Sequence, residues 1–202
     1  MGVNYSSTPQ GTEDWKCERS GLITASNASK IMGTGQTRDT YLYQLAAERL
    51  GGPDAMEQNF STDWMRRGNE LEPQARAAFE FEKVLAVDEV GLATNDDYPG
   101  CGASLDGLIG TDMAVEIKCP KPGTLQRYRN TGKLPGNYRD QITFQMLICD
   151  LEAVHFWAWH PACLTSEKFQ PFHLYIERDP KACKAMAEKI REANAKIEEY
   201  MQ

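Results

Sequence analysis

The chain has 202 residues, 41% hydrophobic and 25% charged, with a net charge of −7. That length suits one domain with a real core, with room for a small appendage, and the composition is that of a soluble globular protein. No apolar run approaches the ~20 residues that cross a bilayer, and the acidic balance argues weakly against a polyanionic partner.

Residues 1–13 are polar and contain Gly and Pro, which reads as a loosely held tail preceding a single domain over 1–202. They carry neither a basic n-region nor an apolar h-region, so no secretory signal is read and a cytoplasmic location is expected. Ser26 is placed to N-cap a short helix running to Met32. "RDTYLYQLAAERL" (38–50) reads as a helix stopped by Gly51-Gly52-Pro53. Residues 54–62 read as a loop, and 63–83 as a long helix that Pro73 should kink or restart.

The middle of the chain changes character. Val84–Thr94, Cys101–Ile109 and Met113–Lys118 read as strands, with Asn95–Gly100 a turn cluster. A short helix over 123–131 and a second over 137–150 follow. "AVHFWAWHP" and "FQPFHLYIER" are further strands. Asp179-Pro180 opens a last helix whose Met186, Ile190, Ala193, Ile197 and Tyr200 form a stripe at 3–4 spacing, suited to a core or a partner contact. The order predicts an α/β fold with a mixed sheet flanked by helices. Six cysteines include no CxxC pair, so free thiols in a reducing compartment are expected and a zinc or iron–sulfur site is not.

Two acids interrupt the apolar ribbon "SLDGLIGTDMAVEIKCP" (104–120). If the hairpin turns about Thr111, Asp106 and Glu116 face each other, ~4.5–5.5 Å apart at Cβ, where like charges destabilise. A slip of one residue would separate them. Glu116 and Lys118 share a face in any register, with Ile117 turned to the core. Facing carboxylates can share a proton, flank a sugar, or hold a hard divalent cation. Lys118 disfavours the shared proton, because a cation keeps both acids ionised, and it suits an anionic substrate. Metal plus lysine is an arrangement for phosphodiester hydrolysis. On spacing alone, a surface hairpin with an ordinary Glu–Lys pair remains open. From Lys118 to Arg139 six basic residues (118, 121, 127, 129, 133, 139) occur with one acid-free run between Lys118 and Arg139, either a phosphate-binding strip or a solvated face.

Asp106 followed by Glu116-Ile117-Lys118 resembles the PD-(D/E)xK nuclease signature, with Leu105 where that pattern often has proline. "RSGLITASNASKIMG", "RGNELEPQARAAFE", "GASLDGLIG", "VEIKCPKP" and "YRDQITFQM", in this order, resemble the lambda exonuclease family of YqaJ-like viral recombinases. The resemblance implies a restriction-endonuclease-like core and a Mg²⁺-dependent exonuclease, Mn²⁺ being a possible substitute. It implies digestion of duplex DNA from 5′-phosphorylated ends, 5′ to 3′, leaving 3′ overhangs for single-strand annealing. A homotrimer threaded by DNA, an annealing-protein partner and a phage or prophage origin in a bacterial cytoplasm come with it.

Residue by residue, the resemblance makes Asp106, Glu116 and the Ile117 carbonyl metal ligands, Lys118 the group that positions water, and Glu72 the helix acid of the cluster. Glu70 competes with Glu72 for that role. Arg19 and Ser26, joined by Ser104, match a pocket for the terminal 5′-phosphate, and Arg38 is a looser addition. A capped helix start with a bidentate arginine suits such an anion. A plain cap and a surface arginine are the alternative. Gln141 and Gln145, one helical turn apart, are expected to line the DNA groove, and Met65 to act as an apolar wedge at the end base pair; both also suit ordinary helix positions. Two rivals stay open: a restriction-like or repair endonuclease, and a non-catalytic DNA-binding protein on a nuclease scaffold. The end-reading pocket argues against the first, and the intact acids and lysine against the second.

Overall fold

The computed structural model describes residues 2–56 and 63–202. Two four-stranded sheets, both mixed, form the centre. The first contains β1 (Val3–Tyr5), β2 (Ile23–Thr24), β3 (Leu92–Asn95) and β4 (Cys101–Ser104), in the order β1-β3-β4-β2. The second runs in chain order through β5 (Gly107–Ile109), β6 (Met113–Lys118), β7 (Ala153–Ala158) and β8 (Phe172–Glu177). β6 and β7 are parallel and the flanking pairs antiparallel.

Seven α-helices are described: α1 (Glu13–Glu18), α2 (Ala28–Met32), α3 (Gln36–Gly51), α4 (Asp63–Lys83), α5 (Pro122–Thr131), α6 (Gly136–Ile148) and α7 (Pro180–Tyr200). Alternation along β6 divides its neighbours between two cores. Val115 and Ile117 pack with Trp157, Trp159 and the α4 residues Ala75 and Phe79. Ala114, Val154 and Phe156 join the larger core built with α2, α3, α6 and α7. The α7 stripe is part of it: Met186, Ile190, Ala193 and Ile197 are buried, and Tyr200 stacks on Tyr43 at 3.8 Å. Asp179 caps α7 by accepting from the Lys181 and Ala182 N–H groups.

Several expectations are corrected. Within the stretch 1–13, the described residues 2–13 are not a loose tail. Val3–Tyr5 pairs antiparallel with β3, and the Gln10 side chain donates to the Val90 and Leu105 carbonyls. Gly91 permits this approach, since a Cβ there would meet the Ser6 carbonyl oxygen at 2.2 Å. Val84–Thr94 is a strand only from Leu92. Val84 leaves α4 with φ 55°, and Asp88 makes a lone bridge to Leu108. Cys101–Ile109 is two strands, one in each sheet, and the chain crosses at Leu105-Asp106. Pro73 neither restarts nor ends α4, which runs through it.

The hairpin register is as expected. Gly107 pairs with Val115, Leu108 with Ala114 and Ile109 with Met113, around a turn in which Gly110 takes φ 62°. Among the described residues no helix is long and apolar enough to cross a membrane.

Candidate active site

Asp106 stands at the crossing between the sheets, one step before β5. Its carboxylate accepts from the Ile117 N–H at 2.7 Å. Glu116 projects from β6 toward α6 and is 0% exposed. A carboxylate taken from water needs donors on both oxygens. Gln141 Nε2 donates to Oε1 at 2.7 Å and Gln145 Nε2 to Oε2 at 2.6 Å. Lys118 Nζ completes the set as an ion pair with Oε1, and lies 3.9 Å from Asp106 Oδ2. Tyr138 offers its ring face to the same ammonium, 5.4 Å from the centroid.

Glu72 enters from α4. Together with Gly68, Asn69, Asp106, Ile117, Lys118, Cys119, Pro120 and Tyr138 it lines a cleft of about 410 Å³. A second cavity of about 350 Å³, beside Lys30 and Tyr41, contains none of these acids.

Burial, then the neighbouring Glu116 charge, pushes the Asp106 carboxyl well above the usual carboxylate range, against the pull of Lys118. Glu72 is raised mainly by burial, opposed by Arg76 and Lys118. Lys118 is held above the ordinary lysine value, because Glu116 and Asp106 outweigh its own desolvation. A carboxyl whose proton affinity is raised by burial and by neighbouring acids, as at Asp106, is a place where a hard cation would be stabilised. Among the described residues no group of three His, Cys, Asp or Glu side chains is arranged to hold an ion. The oxygens a hard cation could take here are the Asp106 and Glu116 carboxylates and the Ile117 carbonyl, with water for the rest of its shell.

The phosphate-pocket residues divide. Arg19 Nη1 donates to Ser104 Oγ at 3.1 Å, and Trp15 Nε1 donates to the same oxygen at 3.2 Å, with the guanidinium 4.3 Å above the Trp15 ring. Ser26 does not cap a helix. It lies exposed within a 3₁₀ turn, Ala25–Asn27, with its hydroxyl 3.4 Å from Thr24 Oγ1. Thr24 and Asn27 stand at the N-termini of the two helical turns instead, because β2 ends at Thr24, two residues before Ser26. Arg38 turns away toward α7, 3.7 Å from Glu192.

Gln141 is half-buried at the cleft, but Gln145 is 1% exposed and does not line an open groove. Its Oε1 is buried without a partner. Met65 lies in α4, and its side chain falls outside the described residues. Arg76 and Trp15 are contributors that spacing did not single out. The Trp15–Ser104 contact spans 89 positions, and Arg76 reads as a routine helix charge.

A mixed α/β scaffold carrying a buried acid–lysine cluster on a strand, beside an arginine–serine pair, suits chemistry on a phosphodiester. The sequence pattern of the YqaJ-like viral recombinase domain matches residues 14–152, and the chain belongs to that family. It is similar to the crystal structures of an alkaline exonuclease, LHK-Exo, from Laribacter hongkongensis. Identity is 33% over 94% of each chain, with TM-scores of 0.83 and, for LHK-Exo in complex with dAMP, 0.85. A phage-related exonuclease from Haemophilus somnus 129PT shares the fold, at TM-score 0.65 and 14% identity over 88% of this chain and 94% of that one. No curated protein sequence matches the chain significantly.

Proposed function

We propose that the chain is a divalent-metal-dependent exonuclease that digests duplex DNA from 5′-phosphorylated ends, 5′ to 3′, and leaves 3′ overhangs for recombination by annealing. One observation carries this reading. Ser104, bonded to Arg19, and Asp106, beside Lys118, are separated by the single residue Leu105. An anion grip and an acid–lysine cluster thus meet where the chain passes from β4 to β5.

Asp106, Glu116 and the Ile117 carbonyl would hold Mg²⁺, or Mn²⁺ in its place, with Glu72 at the rim. When bound, the ion would acidify water and neutralise charge on the scissile phosphate. Gln141 and Gln145 keep Glu116 oriented. Lys118 Nζ orients the attacking water or stabilises the charge that develops on the phosphate oxygens. Arg19 and Ser104 bind the terminal phosphate, with Arg19 donating to two oxygens. The basic strip from Lys118 along α5 offers the DNA backbone an attractive path across an otherwise acidic protein. A homotrimer around the duplex and an annealing-protein partner accompany this reading; mass measurement in solution tests the first.

The experiment compares a linear 5′-phosphorylated duplex with a closed circle, with and without Mg²⁺, using Asp106→Ala as the control. Metal-dependent loss of the linear substrate alone is expected. Nicking of the circle would establish an endonuclease instead, and loss of neither a binding protein.

A further inference from the structure

We propose that Arg76 is a positioning residue that fixes Glu72 relative to Asp106, a role resting on the nuclease reading above. Arg76 is only 9% exposed, on the inner side of α4. All three of its donor directions are engaged. Nη2 donates to Glu72 Oε1 at 2.8 Å, one helical turn away, and Nε donates to the Asp106 carbonyl oxygen at 3.0 Å. Nη1 pairs with Glu89 Oε1 at 2.6 Å, on the segment between α4 and β3.

The Asp106 carbonyl is the fixed end of this arrangement. Its backbone lies between the buried Leu105 and β5, and its carboxylate is bonded to the Ile117 N–H. Glu72 is the end that can move. It sits on a different element, α4, with its carboxylate at the end of a flexible side chain. A planar guanidinium reaches a carboxylate and a carbonyl at once in a rigid fork, which an ammonium cannot do. Arg76 therefore holds the one acid contributed by α4 at a set distance from the acids contributed by the sheets. Misplacement of a reacting group by about 1 Å can cost about 10²-fold in rate.

The test is a double-mutant cycle of Arg76→Met, Glu72→Gln and the two together, which reports whether one residue acts through the other. Two quantities are read: kcat on linear 5′-phosphorylated duplex in saturating Mg²⁺, and Ca²⁺ affinity by calorimetry without DNA. Arg76→Met is expected to lower kcat by about 10²-fold with KM for DNA unchanged, and to weaken Ca²⁺ binding. In the Glu72→Gln background the same change is expected to add less than about threefold to either. Losses that multiply in the double variant, or a wild-type kcat in Arg76→Met, would overturn the proposal.

Melting curves accompany each protein. If Arg76→Met does not fold, Arg76→Lys takes its place in the cycle; it keeps the charge but not the fork, and the same coupling is expected. Wild-type protein inactive on linear duplex in Mg²⁺ would refute the nuclease reading itself. An active wild type with multiplying losses refutes only the role of Arg76.

Discussion

Gln145 and Gln141 both donate to Glu116, yet replacing each by leucine should have different consequences for stability. The Gln145 donor bond, to a carboxylate that is 0% exposed, is 2.6 Å long. Losing a hydrogen bond to a charged group costs about 1.5–3 kcal/mol. Gln145 also buries a carbonyl oxygen with no partner. Such an atom carries a desolvation penalty of about 1–3 kcal/mol, which leucine removes. Leucine at 145 also takes the donor from Glu116 Oε2 in a site closed to water, and a stranded charged acceptor costs more than a neutral one, so the relief offsets only part of the loss and Gln145→Leu should cost about 3 kcal/mol. Gln141 donates to the same carboxylate at 2.7 Å but is half-buried, with no orphaned oxygen among its atoms. Oε1 keeps its ion pair with Lys118 when Gln141 is removed, so Gln141→Leu should lose only about 1.5 kcal/mol. Urea denaturation of both variants in metal-free buffer measures the difference. A Gln145→Leu variant at least as stable as Gln141→Leu would refute the reasoning, because it would mean that Glu116 Oε2 does not depend on Gln145.

Lys118→Ala should lower kcat by roughly 10²–10³-fold, since one group stabilising transition-state charge contributes about 2.7–4 kcal/mol. Binding of DNA ends in Ca²⁺ should persist, and equal losses in binding and rate would make Lys118 a phosphate clamp. Wild type should digest 5′-phosphorylated duplex faster than 5′-hydroxyl duplex, because a terminal phosphate carries nearly two charges. Arg19→Ala should shrink that ratio at fixed salt, and an unchanged ratio of initial rates would remove Arg19 from the pocket. His173, which shares a 2.9 Å contact with His155, is lowered to about 4 by burial, Lys83 and His155. An unfolded histidine protonates near 6.5, so the unfolded chain binds the extra proton first and stability falls as pH drops from about 6.5 toward 4. His173→Phe should flatten that part of the melting-temperature profile, and parallel profiles would refute the assignment.

What was legible in the sequence follows from how local each cause is. Strand β6 and its hairpin register could be read from alternation and the Gly110 turn, because both act within a few residues. Helix α7 announced itself through Asp179-Pro180 and its apolar stripe. Ser26 looked like a cap because side-chain type is local, but whether the chain turns there depends on where β2 ends. The first strand, three residues long, exists only because β3 supplies its partner. The split at Asp106 was hidden because alternation continues smoothly through residues that serve two different sheets. The acids and Lys118 were found by spacing along one ribbon. Arg76 and the inward turn of Gln145 were not, since each depends on an element far away in the sequence.

That split has a consequence for how the protein can fail. Ser104 and Asp106 lie two steps apart on a nearly extended chain, at most about 7 Å. Leu105 between them is 1% exposed. The spacer behaves like a short rigid gauge block, clamped by the core at its midpoint, with one tool mounted at each end. No loop separates the ends to absorb a displacement, so a change in the packing of Leu105 shifts both together. Damage arising there would appear as simultaneous drift in end preference and turnover, whereas wear at Arg19 or Glu116 would affect one before the other.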